Sequence, residues 1–294
     1  MDRICVILLA AHAPEAMLRL SRTAAWSVGI WVLASTSLFG MDRPITIGLV
    51  IDGSNQEDRA PLQAYLTKAM ERSVIVTAPG TFKETVAHLA DGSYDFACLG
   101  ALMYIRAHAQ YGVIPLVQRT TDLHYYTAFI TGTDAPIHSL SDLKGKEFAF
   151  GDIDSTSAHL MAYRELKQAG LNPETDLKLR YSGSAPATGA MVANGTVDAG
   201  AIDETVFDFL ISNGQLDSEK VRVFYTSKPY LDYVYVARKD VSVAEREKFT
   251  RALLALKEGK DDRVLRILRA HKFVTADDVE YESTRKIAHE LKMF

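Results

Sequence analysis

Residues 85–100, TVAHLADGSYDFACLG, line up without gaps on residues 188–203, TGAMVANGTVDAGAID. Each stretch reads as the end of a helix, a glycine stop and a short apolar strand. A unit that recurs in this way predicts a duplicated fold with two like lobes. Outward from the first copy, ITIGLV (45–50) and SVIVTA (73–78) are strand-like. Between them Leu62, Tyr65, Leu66, Ala69 and Met70 recur at helical spacing. Thr81 is placed to cap the next helix, with Glu84 three residues on as the partner of a capping box. After strand 95–100, the helix ALMYIRAHAQ is stopped by Gly112. This βαβαβα order calls for parallel strands with helices on both faces.

Outward from the second copy, 147–151, 177–183 and 196–202 are the corresponding strands. YVYVARKD (233–240) then reads as a strand returning to the first lobe, followed by helices over 244–258, 261–270 and the C-terminus. The division expected is therefore 41–130 with 230–294 as lobe 1 and 131–229 as lobe 2, after an N-terminal extension and signal peptide over 1–40. Two crossing segments, near 127–133 and 226–232, would form a hinge, with a ligand cleft between the lobes.

The chain has 294 residues, 48% hydrophobic and 24% charged, enough for two ordinary α/β lobes. A net charge of −4 with no block of like charge carries no footprint for nucleic acid. MLRLSR from Met17 precedes the uncharged run TAAWSVGIWVLASTSLF (23–39), a basic segment and an apolar segment with small residues at Ser35 and Ser37. That pattern predicts export by a signal peptide and a periplasmic protein, Met17 being the candidate start; a retained anchor is the alternative. Export would remove Cys5 and leave Cys98 as the mature protein's single thiol.

Three places offer chemistry. In GDIDSTSAHLMAYRELKQAG (151–170) a strand ends and a helix begins at Ser155, Thr156 and Ser157. Three hydroxyls beside unpaired N–H groups suit an oxyanion, although one hydroxyl suffices as a simple cap. The carboxyl end of strand 95–100 brings Cys98, Gly100 and Tyr104 to the place where parallel sheets bind ligands; packing alone would also explain Cys98 and Tyr104. SGSAPATGAM (182–191) would face them. The sequence has no Gly-x-Ser-x-Gly elbow, phosphate-binding P-loop or dinucleotide fingerprint, and no histidine pair with metal-ligand spacing. No enzyme, cofactor or nucleic-acid partner is expected, and the free chain is expected to be a monomer.

With these residues in view, the chain resembles the PhnD-like phosphate/phosphite/phosphonate-binding proteins of ABC importers. The likeness is clearest in SDLKGKEFAFGDIDSTSAHLM (141–161), YDFACLGALMY (94–104) and VDAGAID (197–203). It implies the type II periplasmic-binding fold: α/β, two lobes, each a mixed, mostly parallel sheet flanked by helices, hinged by two crossing segments. It also implies ligand oxygens held by Ser155, Thr156, Ser157 and Tyr104, and Asp203 and Asp232 accepting from protonated ligand groups.

Two departures narrow the ligand. Phosphonate binders of the family carry Ser-Gly-Ser-His-Asp in the facing loop, where this chain has Ser182-Gly183-Ser184-Ala185-Pro186. A cysteine, Cys98, stands two residues before the glycine of the third strand. In both respects the chain is similar to the family's arsenite-binding sensor branch (AioX-like), which works with a membrane sensor histidine kinase controlling arsenite oxidation. Arsenite is neutral near pH 7 and thiophilic, so it suits a thiol among hydroxyls. The expectation is thus an arsenite sensor with Cys98 bound to the arsenic. The alternative is the substrate-binding component of an ABC importer, with a membrane permease as partner, for phosphonate, phosphite or phosphate.

Overall fold

The computed structural model describes residues 43–49 and 59–294. The expected signal peptide, the extension over 1–40 and Cys5 lie outside the described residues. No helix among the described residues is long and apolar enough to cross a membrane.

The first half runs β1 (Ile45–Leu49), α1 (Ala60–Met70), β2 (Val74–Thr77), α2 (Phe82–Asp91), β3 (Phe96–Leu99), α3 (Ala101–Tyr111) and β4 (Ile114–Arg119). The chain then crosses to β5 (Thr127–Gly132), β6 (Glu147–Phe150), α4 (Ala162–Gln168), α5 (Pro173–Asp176), β7 (Lys178–Tyr181), α6 (Ala185–Ala193), β8 (Ala199–Asp203), α7 (Glu204–Ser212) and β9 (Val221–Thr226). It returns through β10 (Val234–Ala237), α8 (Val243–Leu254), α9 (Asp262–Ile267), β11 (Phe273–Thr275) and α10 (Glu282–Glu290). The strands form two sheets, ordered β11-β4-β10-β3-β1-β2 and β7-β6-β8-β5-β9.

The two sheets share one plan. In each, three strands are parallel: β2-β1-β3 in the first lobe and β7-β6-β8 in the second. The strand that arrives from the other lobe, β10 or β5, then lies antiparallel beside the third. A chain that crosses and returns enters from the opposite direction, so each sheet is mixed, with a parallel half and an antiparallel flank. The repeated sequence unit occupies matching places. Thr81 caps α2 and Ser184 caps α6, and Gly92 (φ 84°) and Gly195 (φ 74°) turn the chain where a side chain would be strained. Asp95 and Asp198 do the same work. Asp95 takes the Thr46 N–H at 3.0 Å and Asp198 takes the Glu147 N–H at 2.8 Å, each pinning the start of the central strand of its lobe's parallel trio, β1 or β6.

Two local expectations are corrected. Thr81 accepts the Glu84 N–H at 3.0 Å, but the Glu84 carboxylate reaches back to the Gly80 N–H at 2.8 Å, one residue short of a capping box. The first crossing is 120–126, not 127–133. TAFIT is a strand of the second sheet, held between β8 and β9, and so does not belong with the first lobe's 41–130. Its β-branched and aromatic residues fit a buried strand, and all of 127–131 are buried. The second crossing, 227–233, falls where expected. The crossings pair through an isolated antiparallel bridge, Tyr125 N–H to Tyr230 O at 2.8 Å and Tyr230 N–H to Tyr125 O at 3.0 Å.

Candidate functional site

Helix α3 begins at Gly100, which has no side chain to cap it. Two of its free N–H groups are served from elsewhere: Ala101 donates to Asp232 Oδ1 and Leu102 to Thr156 Oγ1, each at 3.0 Å. Asp232 comes from the second crossing and Thr156 from the second lobe, so a helix start gathers both. Only glycine fits at position 100 without a shift. A Cβ there would lie 3.0 Å from Thr156 Oγ1 and 3.4 Å from Asp232 Oδ1.

The three hydroxyls of 155–157 divide their tasks. Ser155 caps, accepting the Ala158 N–H at 3.0 Å. Thr156 crosses to the first lobe, and Ser157 meets the Tyr230 hydroxyl. The simple-cap reading thus accounts for Ser155 alone. The segment Thr156–Met161 is π-helical, with Leu160 N–H reaching Ser155 O at 3.1 Å across five residues. Such a wide turn is frequent at functional sites. It delivers Leu160 and Met161 into the apolar core of the first lobe.

Asp203 ends β8 as Gly100 follows β3, in agreement with the repeat. It caps α7 through the Val206 N–H at 3.1 Å, accepts the Thr205 hydroxyl at 2.9 Å and accepts the Tyr125 hydroxyl. Burial raises its pKa above the ordinary carboxylate range. The pKa of Asp232 is raised to about 8, by burial first and then by the neighbouring charges of Asp203 and Asp122. At neutral pH Asp232 therefore holds a proton, and it sits beside hydroxyls as a hydrogen-bond donor as well as an acceptor. Arg119 is the buried cation nearby, and it is committed: its guanidinium holds Asp122 at 2.6 to 3.1 Å and lies over the Tyr233 ring.

The expected site residues thus fall into three groups. Ser155, Thr156, Ser157 and Asp232 are brought together at the start of α3, with Asp203 linked to them through Tyr125 and Tyr230. Cys98 lies behind them on β3, 3% exposed and hydrogen-bonded with Tyr235, and burial pushes its thiol up to about 12. Tyr104 is turned away. Its hydroxyl donates to Asp278 at 2.7 Å and its ring meets Tyr281 edge-on, so the packing reading holds for it. What decides it is the 278–281 turn ahead of α10, which takes both the Tyr104 hydroxyl and its ring. The reading from sequence missed Tyr125, Thr127 and Tyr230. Thr127 donates to Ser157 O and shares its hydroxyl with Tyr230, both at 2.9 Å. The tyrosines beside each crossing were the available signal, but their meaning depended on placing the first crossing correctly. No group of three or more His, Cys, Asp or Glu among the described residues could hold a metal ion.

A profile of the family described as the phosphonate periplasmic substrate-binding proteins of ABC transporters matches residues 52–281. The probable ABC transporter phosphite-binding protein PhnD1 of Prochlorococcus marinus is 29% identical over 212 residues, 67% of this chain and 71% of that protein. The tetrathionate sensor histidine kinase TtrS of Salmonella typhimurium is 28% identical over 139 residues, 43% of this chain but 23% of that longer protein. Among solved structures, PhnD1 in complex with methylphosphonate superposes with a TM-score of 0.76 at 23% identity, covering 85% of this chain and 98% of that one. A binding-protein component of an ABC phosphonate transporter from Pseudomonas aeruginosa follows at 0.74 and 19%, covering 84% and 86%. At these identities the superpositions speak for the two-lobed periplasmic-binding fold.

Proposed function

The chain belongs to the family of periplasmic phosphonate-binding proteins of ABC transporters, and from that premise we propose that it captures a small oxyanion of the phosphonate, phosphite or phosphate type for an ABC importer. The family's members are substrate-binding proteins of the periplasm rather than enzymes. The observation that carries the reading is the meeting of Thr156 and Asp232 at the glycine start of α3. The hydroxyls of Ser155, Thr156 and Ser157 and a protonated carboxyl group supply donors to ligand oxygens, while Asp203 and Asp232 accept from any hydroxyl the ligand keeps. The partner under this reading is a membrane permease. The phosphite-binding relative, matched over most of its length, supports it.

A second reading keeps arsenite as the ligand and a sensor histidine kinase as the partner. Its support is Cys98, in the electrostatic reach of Asp232, and the partial likeness to a sensor kinase. Capture would form an S–As bond as the thiol proton leaves with one arsenite hydroxide as water. The buried, protonated thiol works against that step in the closed arrangement, so import carries the greater weight. Calorimetry on the purified chain with methylphosphonate, phosphite and arsenite separates the two. Import requires tight binding of a phosphorus oxyanion that Cys98→Ser leaves unchanged. Arsenite binding abolished by Cys98→Ser, without phosphorus-oxyanion binding, would overturn it.

A further inference from the structure

Beside this site, and touching it through Tyr125 and Thr205, a cavity of about 640 Å³ opens between α7 of the second lobe and α9 of the first. That volume is within the range of small-molecule sites. Its wall includes Thr121, Tyr125, Phe209, Leu265, Arg266 and Arg269, and none of Gly100, Ser155, Thr156, Ser157 or Asp232.

Two of those side chains hold donors with nothing to bond. Nε and Nη2 of Arg269 and Oγ1 of Thr121 are buried without a hydrogen-bond partner. A buried donor left unmet is costly, and its persistence asks for a reason. Arg269 is also held at φ 47°, a strained conformation for a residue with a side chain. Its guanidinium lies 4.2 Å over the Phe209 ring, so the contact joins the lobes.

The acids of the wall leave the Arg269 donors unmet. Of the acids on the wall, Glu258 pairs with His271 at 2.6 Å and Asp262 accepts the Gly259 N–H at 2.6 Å. Arg119 is closed off by Asp122. Among the described residues Arg266 and Arg269 make no ion pair, and no carboxylate reaches the buried Nε and Nη2 of Arg269.

We propose that this cavity is a second ligand site, for an organic anion whose carboxylate or phosphoryl group meets Arg269, Arg266 and Thr121 while its apolar body lies against Phe209 and Leu265. Arginine suits both oxyanions through its paired N–H groups. Because the walls come from both lobes, an occupant binds best when the lobes hold this relation and so biases closure over the first site.

The test is calorimetry on the full chain with benzoate and phenyl phosphate as the carboxylate and phosphoryl probes. The expected result is binding of at least one probe, weakened about tenfold or more in Arg269→Gln, as loss of a charge-assisted bond implies. If Arg269→Gln proves misfolded by circular dichroism, Thr121→Val takes its place, with a smaller weakening expected. The proposal is overturned if neither probe binds at millimolar concentration. It is also overturned if binding is unchanged in both cavity variants.

Discussion

Thr156 of the second lobe accepts the Leu102 N–H of the first at 3.0 Å, so a side chain from one lobe completes the start of a helix in the other. The bond exists only when the lobes are together. It ties the ligand-facing turn, through α3, to closure.

Thr156→Ala should therefore weaken the closed form. A buried N–H without its acceptor costs on the order of 1–3 kcal/mol, which corresponds to roughly tenfold or more in affinity for methylphosphonate under the import reading. Thr156→Ser keeps the oxygen and should retain most of the binding. Titration calorimetry of the two variants side by side checks this; equal losses in both would remove the hydroxyl from the account.

Asp232 predicts a pH dependence. Its pKa rises from an ordinary 3.8 to about 8 on folding, so between those values the folded chain holds a proton that the unfolded chain releases. Its contribution to stability is fully present below about 3.8, falls as pH rises, and is lost above about 8. The slope is at most about 1.4 kcal/mol per pH unit. Urea unfolding from pH 5 to 9 should show stability declining more steeply in the wild type than in Asp232→Asn, which cannot titrate. Parallel curves would contradict the assignment.

Gly100→Ala tests the close approach at the start of α3. The added methyl would press on Thr156 Oγ1 and Asp232 Oδ1, the two acceptors that serve α3. A cost of about 1–3 kcal/mol is expected from such overpacking, with ligand binding reduced more than lobe 1 stability. Comparing denaturant midpoint with calorimetric affinity separates the two effects.

Cys98 should be slow to react. The thiol is 3% exposed and burial raises its pKa to about 12, so thiolate at neutral pH is scarce. Labelling by a thiol-specific disulfide reagent should be much slower in buffer than in urea. Fast labelling of the native chain would show that the cleft opens often enough to expose β3, which would restore weight to the arsenite reading.

Asp198→Ala addresses the repeat itself. It removes the acceptor of the exposed Glu147 N–H at the start of β6, and a loss of about 0.5–1.5 kcal/mol in urea unfolding is expected. Asp95→Ala in the first lobe should cost more, because Asp95 also holds Arg43 and Arg238. An equal or smaller loss there would deny the ion pairs a stabilising role.

Much of this architecture could be read along the chain. The helix stops at Gly92, Gly112 and Gly195, the cap at Thr81 and the hydroxyl run at 155–157 are set by neighbours within about four residues. Residues that differed from expectation depended on distant partners. TAFIT looks the same whether it crosses between lobes or pairs inside one, and pairing with β8 and β9 decides it. Tyr104 is a plausible ligand group until Asp278, far along the chain, takes its hydroxyl.

The amino-acid sequence alone determined that this protein has two like α/β lobes, because period, caps and glycine stops are short-range and the unit around 85–100 recurs at 188–203. The tertiary structure alone decided how the repeated ends differ in use. Gly100 leaves a helix start open to Thr156 and Asp232, while its counterpart Asp203 closes its own helix and takes the Tyr125 hydroxyl. Which donors stay open and which are closed depends on groups brought together from separate parts of the chain, and no local pattern carries that information.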